Sequence, residues 1–300
     1  MADRPGLIGF RIAATESDGI DWARIDETWS HAAELPALDA GWMSDHLSDA
    51  TRQRGGPALE AFTAAAALAG RVRGKWVGIA VASSTFRHPA LVAKAATVLD
   101  NVTGGRFVLG MGAGWHAGEH DAFGIALPPP PERFDRLESS LKVVSAMFSA
   151  EAASEDGVTL DDPIWPLRGA TNLPGPTRPG GPPIWLGVGG RRGIALAARY
   201  AQGWPMPGNR PGELGYFIAL RDRLRSAISA EGRDPDAFCF AAQIVCGSSS
   251  EGLRAARESA LAFRRAGATH IILGLPARDA PDGLNRLATE VAEPVLAAAG

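Results

Sequence analysis

The chain has 300 residues, 46% hydrophobic and 21% charged, which is enough to bury a large core as one barrel or two smaller domains and excludes a disordered protein. A formal charge of −3 excludes the broad positive surface that phosphate-backbone binding needs, so nucleic acid is not an expected partner. The two cysteines, Cys239 and Cys246, lie seven residues apart in an apparent strand and so on opposite faces, which argues against a disulfide or a cysteine-rich metal site.

The opening run MADRPGLIGFRIAA has no apolar stretch of signal-peptide length, and residues 7–12 (LIGFRI) read as a first strand. Residues 38–43 (LDAGWM) read as a second, running directly into Asp45 and His46. A carboxylate beside an imidazole can orient a cofactor ring and move a proton near neutral pH; the other reading is a turn in which Asp45 caps backbone and His46 packs. The most apolar run, AFTAAAALAG, is too short to span a bilayer, so no membrane association and a cytoplasmic location are expected.

A third strand at 76–81 (WVGIAV) leads into Ser83, Ser84, Thr85 and Arg87 ahead of a helix that Pro89 can start, a turn that can hold a polar ligand edge or simply cap the helix. In that helix Leu91, Ala95, Val98, Leu99 and Val102 form an apolar stripe expected to be buried. The fourth strand, 106–111 (RFVLGM), enters GAGWHAGEH, and a further helix (ERFDRLESSLKVVSAMF) buries Phe134, Leu137, Leu141, Val144 and Phe148. Residues 150–183 break the rhythm with prolines and glycines and read as an excursion between strands four and five. On a barrel this is either a lid at the substrate rim or a solvated surface insertion.

Strand five, 183–188 (PIWLGV), is followed by Gly187, Gly189, Gly190 and Gly193 and a helix with no acidic residue in its first turn. Close backbone approach plus free N–H groups at a helix start make an anion site, strengthened by Arg191 and Arg192; the alternative is a tight strand-to-helix turn. Runs at 203–208, 238–245 and 269–274 complete eight strands, the first of them weakened by Pro205 and Pro207. Eight strand-helix alternations in one chain predict an α/β fold, a single (β/α)₈ barrel spanning residues 1–300 with the 150–183 insertion inside it, rather than a six-stranded dinucleotide domain with an appendage.

The stretch MGAGWHAGEH has two further readings. His116, Glu119 and His120 spell H-x-x-E-H, a zinc-peptidase spacing, and the glycines invite comparison with a dinucleotide fingerprint. Gly118 is expected to interrupt the helix a zinc site requires, and a mid-chain strand is the wrong place for the fingerprint, so no metal is expected. The barrel-rim reading remains, with Gly112 and Gly114 letting backbone approach a cofactor ring and Trp115 beside the substrate.

From about Ile8 to about Leu275, and most densely in FRHPALVAKAATVLDNVTGGRFVLGMGAGWHAGEHDAFG followed by ERFDRLE, the sequence resembles the bacterial luciferase-like superfamily, in the branch that uses the deazaflavin coenzyme F420. The resemblance implies a (β/α)₈ barrel, a cofactor across its C-terminal mouth, and an oxidoreductase passing a hydride between F420 and a small organic substrate. By the same likeness His46 takes the place of a catalytic histidine with Asp45 beside it, Ala80 and Val81 match a non-prolyl cis peptide against the cofactor ring, and Gly187, Val188, Gly189 and Gly190 match the phosphate-binding loop; Ser83 and Arg191, from their own turns, join the expected cofactor-binding residues. Sugar-phosphate dehydrogenases of this group carry a tryptophan and a glutamate where this chain has Ala50 and Trp115, so substrate and proton donor do not transfer. FMN-dependent monooxygenation is the alternative on the same barrel, and a non-catalytic flavin-binding protein is a third reading. GMGAGWHAGEH lacks the Asn-Ile-Val-Thr-Ser run usual in alkane and sulfonate monooxygenases, which favours the deazaflavin. A homodimer is compatible with such a barrel, but no residue specifies one.

Overall fold

The computed structural model describes residues 4–13, 21–48, 57–207, 210 and 213–298. Eight parallel strands close into a barrel: β1 (Ile8–Ala13), β2 (Ala40–Met43), β3 (Trp76–Ser83), β4 (Phe107–Gly112), β7 (Ile184–Leu186), β8 (Gly203–Pro205), β9 (Cys239–Val245) and β10 (His270–Pro276). Two short strands, β5 (Val158–Leu160) and β6 (Leu167–Ala170), pair antiparallel as a separate hairpin. Around the barrel run α1 (Trp22–Ala32), α2 (Ala61–Ala69), α3 (Pro89–Thr103), α4 (Ala117–Phe123), α5 (Pro130–Met147), α6 (Gly190–Tyr200), α7 (Leu214–Ala230) and α8 (Ser250–Arg265), with α9 (Asp282–Leu287) and α10 (Glu293–Ala297) at the end. Each of the eight sequence-read strands overlaps one barrel strand. The weakest, with Pro205 and Pro207, shrinks to three residues, because proline cannot donate to the ladder.

Alternation along each strand divides the core in two. Ile8 and Phe10 of β1 face the helices, whereas Trp42, Trp76, Val108, Trp185, Cys239, Ala241 and Ile272 fill the barrel interior. The Trp42 and Trp185 rings lie 4.9 Å apart, and the Trp42 indole N–H donates to His270 Nε2 at 2.9 Å. His270 Nδ1 meets the Gly6 carbonyl at 2.6 Å, so this ring serves both partners only as the neutral Nδ1–H tautomer, and burial lowers its pKa to about 4. Glycine makes room for these rings: a Cβ on Gly78 would stand 2.3 Å from the Trp42 ring, and one on Gly203 2.5 Å from the Trp185 indole nitrogen. The cysteines fall as their spacing requires, Cys239 inside the barrel and Cys246 in the outer layer, both free, with burial pushing each thiol up to about 12.

One expectation needs correction. On α3 the buried face is Val92, Ala93, Ala96 and Leu99, while Leu91, Val98 and Val102 are more than half exposed. Both faces of this helix are apolar, so periodicity could not choose between them; contact with α2 and α5 did. The 150–183 insertion reaches the exit of β3, where Trp165 stands edge-on to the His88 ring at 4.6 Å, and also the opposite end of the barrel. It leaves from the end of α5, and a helix begun at the carboxyl ends of the strands finishes at their amino ends. There Arg178 lies over the ring of Trp76, the first residue of β3, and its backbone N–H donates to Asp100 at 3.1 Å. The fully buried Asn172 donates to Thr97 Oγ1 at 2.9 Å and to the Met147 carbonyl at 2.8 Å, tying the segment to α3 and α5. The α5 stripe is as expected, with Leu137, Leu141, Val144 and Phe148 buried.

Candidate active site at the carboxyl end of the barrel

Turns that leave β2, β3 and β4 are neighbours because those strands are neighbours, and their side chains interlock. Asp45 is buried, accepts from the Ser83 N–H at 2.9 Å, and holds the Arg87 guanidinium through both oxygens at 2.8 and 2.9 Å. Arg87 also pairs with Glu60 and lies over the Phe62 ring. The Asp45 carboxylate is thus committed to bracing two turns, not to a cofactor ring. Ser83 Oγ meets Thr85 Oγ1 at 2.7 Å, Thr85 Oγ1 meets His120 Nε2 at 2.7 Å, and His120 Nδ1 reaches the His116 carbonyl at 2.8 Å. The Ser83 hydroxyl is therefore also spent inside the protein.

His46 lies on the other side of this brace. Its Nδ1 is 3.1 Å from Glu119 Oε2, and Glu119, 2% exposed, also accepts from the backbone N–H groups of Leu47 and Ser48. A carboxylate at Nδ1 fixes the tautomer, leaving Nε2 as the nitrogen free to exchange a proton. The Trp115 ring, 58% exposed, stands edge-on to the His46 ring at 6.0 Å. His46 and Trp115 are thus brought together as expected from sequence, with Glu119 as a third member whose partner the sequence did not reveal. Its position in the first turn of a helix opening just after β4 was legible; that the end of β2 lies beside it was not.

The H-x-x-E-H side chains are accounted for individually. α4 continues through Gly118, contrary to expectation, and Gly124, at φ 65°, closes it. His116 Nδ1 accepts from the Glu119 N–H, capping α4; Glu119 holds His46; His120 belongs to the Ser83–Thr85 chain. Among the described residues no group of three histidine, cysteine or acidic side chains is arranged to hold a metal ion.

The glycines of the mouth have local explanations as well. The Ala80–Val81 peptide is cis, and the β3–β4 register shifts at that point. The Val81 side chain occupies the space that a Cβ on Gly112 (2.8 Å) or Gly187 (2.9 Å) would need. Gly114, at φ 78°, presses on the hydroxyls of Thr85 and Ser83, where a Cβ would come within 2.7 and 2.8 Å. These three glycines admit the protein's own side chains, and it is half-buried Ala80 and Val81 that line the mouth. Val188 is buried against Gly193, and its carbonyl accepts from the Trp204 indole at 2.8 Å.

At the start of α6, Gly189 is the N-cap with no side-chain capping bond, a Cβ on it would meet the Tyr216 hydroxyl at 3.0 Å, and Gly190 has φ 70° with nothing within 4 Å of where its Cβ would stand. The first N–H groups of a helix lack intrahelical acceptors, which suits a phosphate group. The flanking arginines contribute less than their sequence suggests. Arg192 is drawn to Asp135 at 2.6 Å and Glu138 at 3.3 Å, and Arg191 borders a groove on the outer layer with Ile194, Ala195 and Asp222. Ala50 lies outside the described residues.

A closed parallel barrel with its polar cluster at the carboxyl ends of the strands defines the class, a (β/α)₈ enzyme fold. The family model for luciferase-like monooxygenases matches residues 7–295, and the chain belongs to that family. It is 34% identical to a phthiodiolone/phenolphthiodiolone dimycocerosates ketoreductase from Mycobacterium sp. (strain JLS), over 85% of this chain and 70% of that one. It is 31% identical to an F420-dependent glucose-6-phosphate dehydrogenase from Microbacterium testaceum (strain StLB037), over 68% of this chain but 58% of that one, so it spans under two thirds of that relative's length. Among solved structures, an F420-dependent secondary alcohol dehydrogenase in complex with an F420-acetone adduct superposes with TM-score 0.76 at 17% identity, covering 97% of this chain and 99% of that one. An EDTA monooxygenase from Chelativorans sp. BNC1 superposes equally well, TM-score 0.76 at 16% identity, covering 99% and 95%. No helix among the described residues is long and apolar enough to cross a membrane.

Proposed function

We propose that this protein is an F420-dependent oxidoreductase acting on a small organic substrate at the carboxyl end of the barrel. The observation that carries the reading is the His46–Glu119 pair beside Trp115 at the exits of β2 and β4. When bound, the deazaflavin supplies a two-electron hydride centre. The uncapped start of α6 at Gly189 and Gly190 would take the phosphate of the cofactor's tail, and Ala80 and Val81 would face its ring. Glu119 holds His46 in one tautomer so that Nε2 gives or takes the proton that accompanies hydride transfer, and Trp115 walls the substrate side. The F420-dependent relatives support the deazaflavin, and the same reading puts the protein in the cytoplasm, where its two free cysteines stay reduced.

The test is a fluorescence titration of the purified protein with F420 and with FMN. Tight binding of F420 and weak binding of FMN is the expected outcome. The reverse would establish FMN-dependent chemistry on the same barrel, and binding of neither would overturn the cofactor reading altogether.

A further inference from the structure

β1 carries an arginine into the barrel. Ile8 and Phe10 face the helices, while a Cβ on Gly9 would collide with Trp42 and His270 in the interior, so Arg11, two residues on, points inward one layer nearer the mouth. Its register partners are Trp42 on β2 and Gly274 on β10. Gly274 lies against the guanidinium, since a Cβ there would stand in ordinary contact, 3.6 Å, with Nη2.

The partners of Arg11 are all neutral. Nη1 donates to Gln243 Oε1 at 2.9 Å and lies 3.5 Å from Ser44 Oγ, and Nε is sealed from solvent with no acceptor. Gln243 is itself buried and donates through Nε2 to the Met206 carbonyl, which directs its oxygen toward Arg11. Among the described residues no carboxylate pairs with Arg11, whereas Arg87, in the turn leaving β3, pairs with Asp45 and Glu60. Burial lowers the Arg11 pKa from its ordinary value, but a guanidinium keeps its proton, so the charge stays and has no counter-ion among the described residues. Ser44 adjoins Asp45 and His46, which places the guanidinium at the floor of the candidate active site.

We propose that Arg11 is the anion anchor of this site, and that the substrate is a small organic acid whose oxyanion it holds from below while the reacting carbon faces the cofactor. The proposal rests on the barrel mouth being the active site, but not on which cofactor occupies it. A guanidinium whose only hydrogen bonds among the described residues go through Nη1 keeps donors for the two-point recognition that suits a carboxylate, sulfonate or phosphonate.

The experiment is thermal denaturation of the cofactor-free protein against acetate, methanesulfonate and methylphosphonate at constant ionic strength, for wild type, Arg11→Met and Arg11→Lys. Wild type is expected to gain a few degrees in Tm, saturably, with at least one of the three, Arg11→Lys to gain less, and Arg11→Met to gain nothing. Without anion, Arg11→Met is expected to melt at or above wild type, since it removes an uncompensated charge from the interior. A wild type indifferent to all three anions, or an Arg11→Met variant that melts far below wild type, would overturn the assignment and leave Arg11 a structural residue. A second arm measures oxidised and reduced F420 and FMN affinities in wild type and Arg11→Met. A loss of cofactor affinity in Arg11→Met, in either redox state, would assign the counter-ion to the cofactor and likewise overturn the substrate assignment. Failure to bind either cofactor would count only against the cofactor reading, because the anion titration contains none.

Discussion

Replacing Glu119 by glutamine changes one atom and tests the site directly. Glu119 is 2% exposed and accepts three hydrogen bonds, from Leu47 and Ser48 N–H through Oε1 and from His46 Nδ1 through Oε2. In Glu119→Gln the amide oxygen keeps both backbone donors, and the amide nitrogen then faces His46 Nδ1. Two donors cannot face each other, so the imidazole proton moves to Nε2 and the lone pair that could accept a proton turns into the protein. Charge-assisted bonds give way to neutral ones, a loss of roughly 1–2 kcal/mol, which a barrel of this size survives. Turnover should fall roughly 10²- to 10⁴-fold, the usual range for disabling a general acid–base or forcing its wrong tautomer, with cofactor affinity little changed. Heteronuclear NMR of the imidazole nitrogens reports the tautomer, and cofactor absorbance reports turnover. An unchanged His46 tautomer in the variant, or turnover equal to wild type, would refute the claim that Glu119 orients His46 for proton transfer.

Gly189→Asp should abolish cofactor binding while leaving the fold intact, because a carboxylate at the uncapped start of α6 repels phosphate; unchanged affinity in fluorescence titration would remove the phosphate site from that loop. His270 is neutral in the fold, with a pKa of about 4 against 6.5 unfolded, so the unfolded chain binds the extra proton in that window and its contribution is lost as pH falls from 6.5 to about 4. The loss amounts to roughly 3 kcal/mol, and urea denaturation of wild type and His270→Gln across that range should show the variant with the flatter dependence. Gly78→Ala sets a Cβ 2.3 Å from the Trp42 ring and should destabilise by about 1–3 kcal/mol or more, read as a lowered urea midpoint; a midpoint within error of wild type would mean that the interior rings can shift.

The alternation of short apolar runs with helical segments was enough to favour the barrel, since eight such units suit a (β/α)₈ barrel better than a six-stranded domain with an appendage. His46 and Trp115 could be expected at the rim because they closely follow strands, and the exits of strands are where a barrel collects its chemistry. Asp45 was legible as important but not in its role: only the Arg87 guanidinium and the Ser83 N–H, brought to it from the next turn, show it to be a brace. Arg11 could have been found by counting in twos from the glycine that clears Trp42, yet an arginine in a strand says nothing about its counter-ion until the neighbouring strands are in place.

What the sequence determined by itself is therefore what depends on neighbours along the chain: the period of each element, the uncapped glycine start of α6, and the opposite faces of Cys239 and Cys246. What only the tertiary structure decided is what depends on neighbours across it. An apolar helix with two usable faces, such as α3, buries whichever one its partners cover. An insertion after a helix emerges at the end of the barrel to which that helix has returned, which is why residues 150–183 set out from the floor, where Arg178 meets Trp76, although Trp165 reaches His88 at the exit of β3. Glu119 and His46 stand 73 residues apart, and they meet because β2, β3 and β4 lie side by side in a closed sheet that carries their exits to one rim.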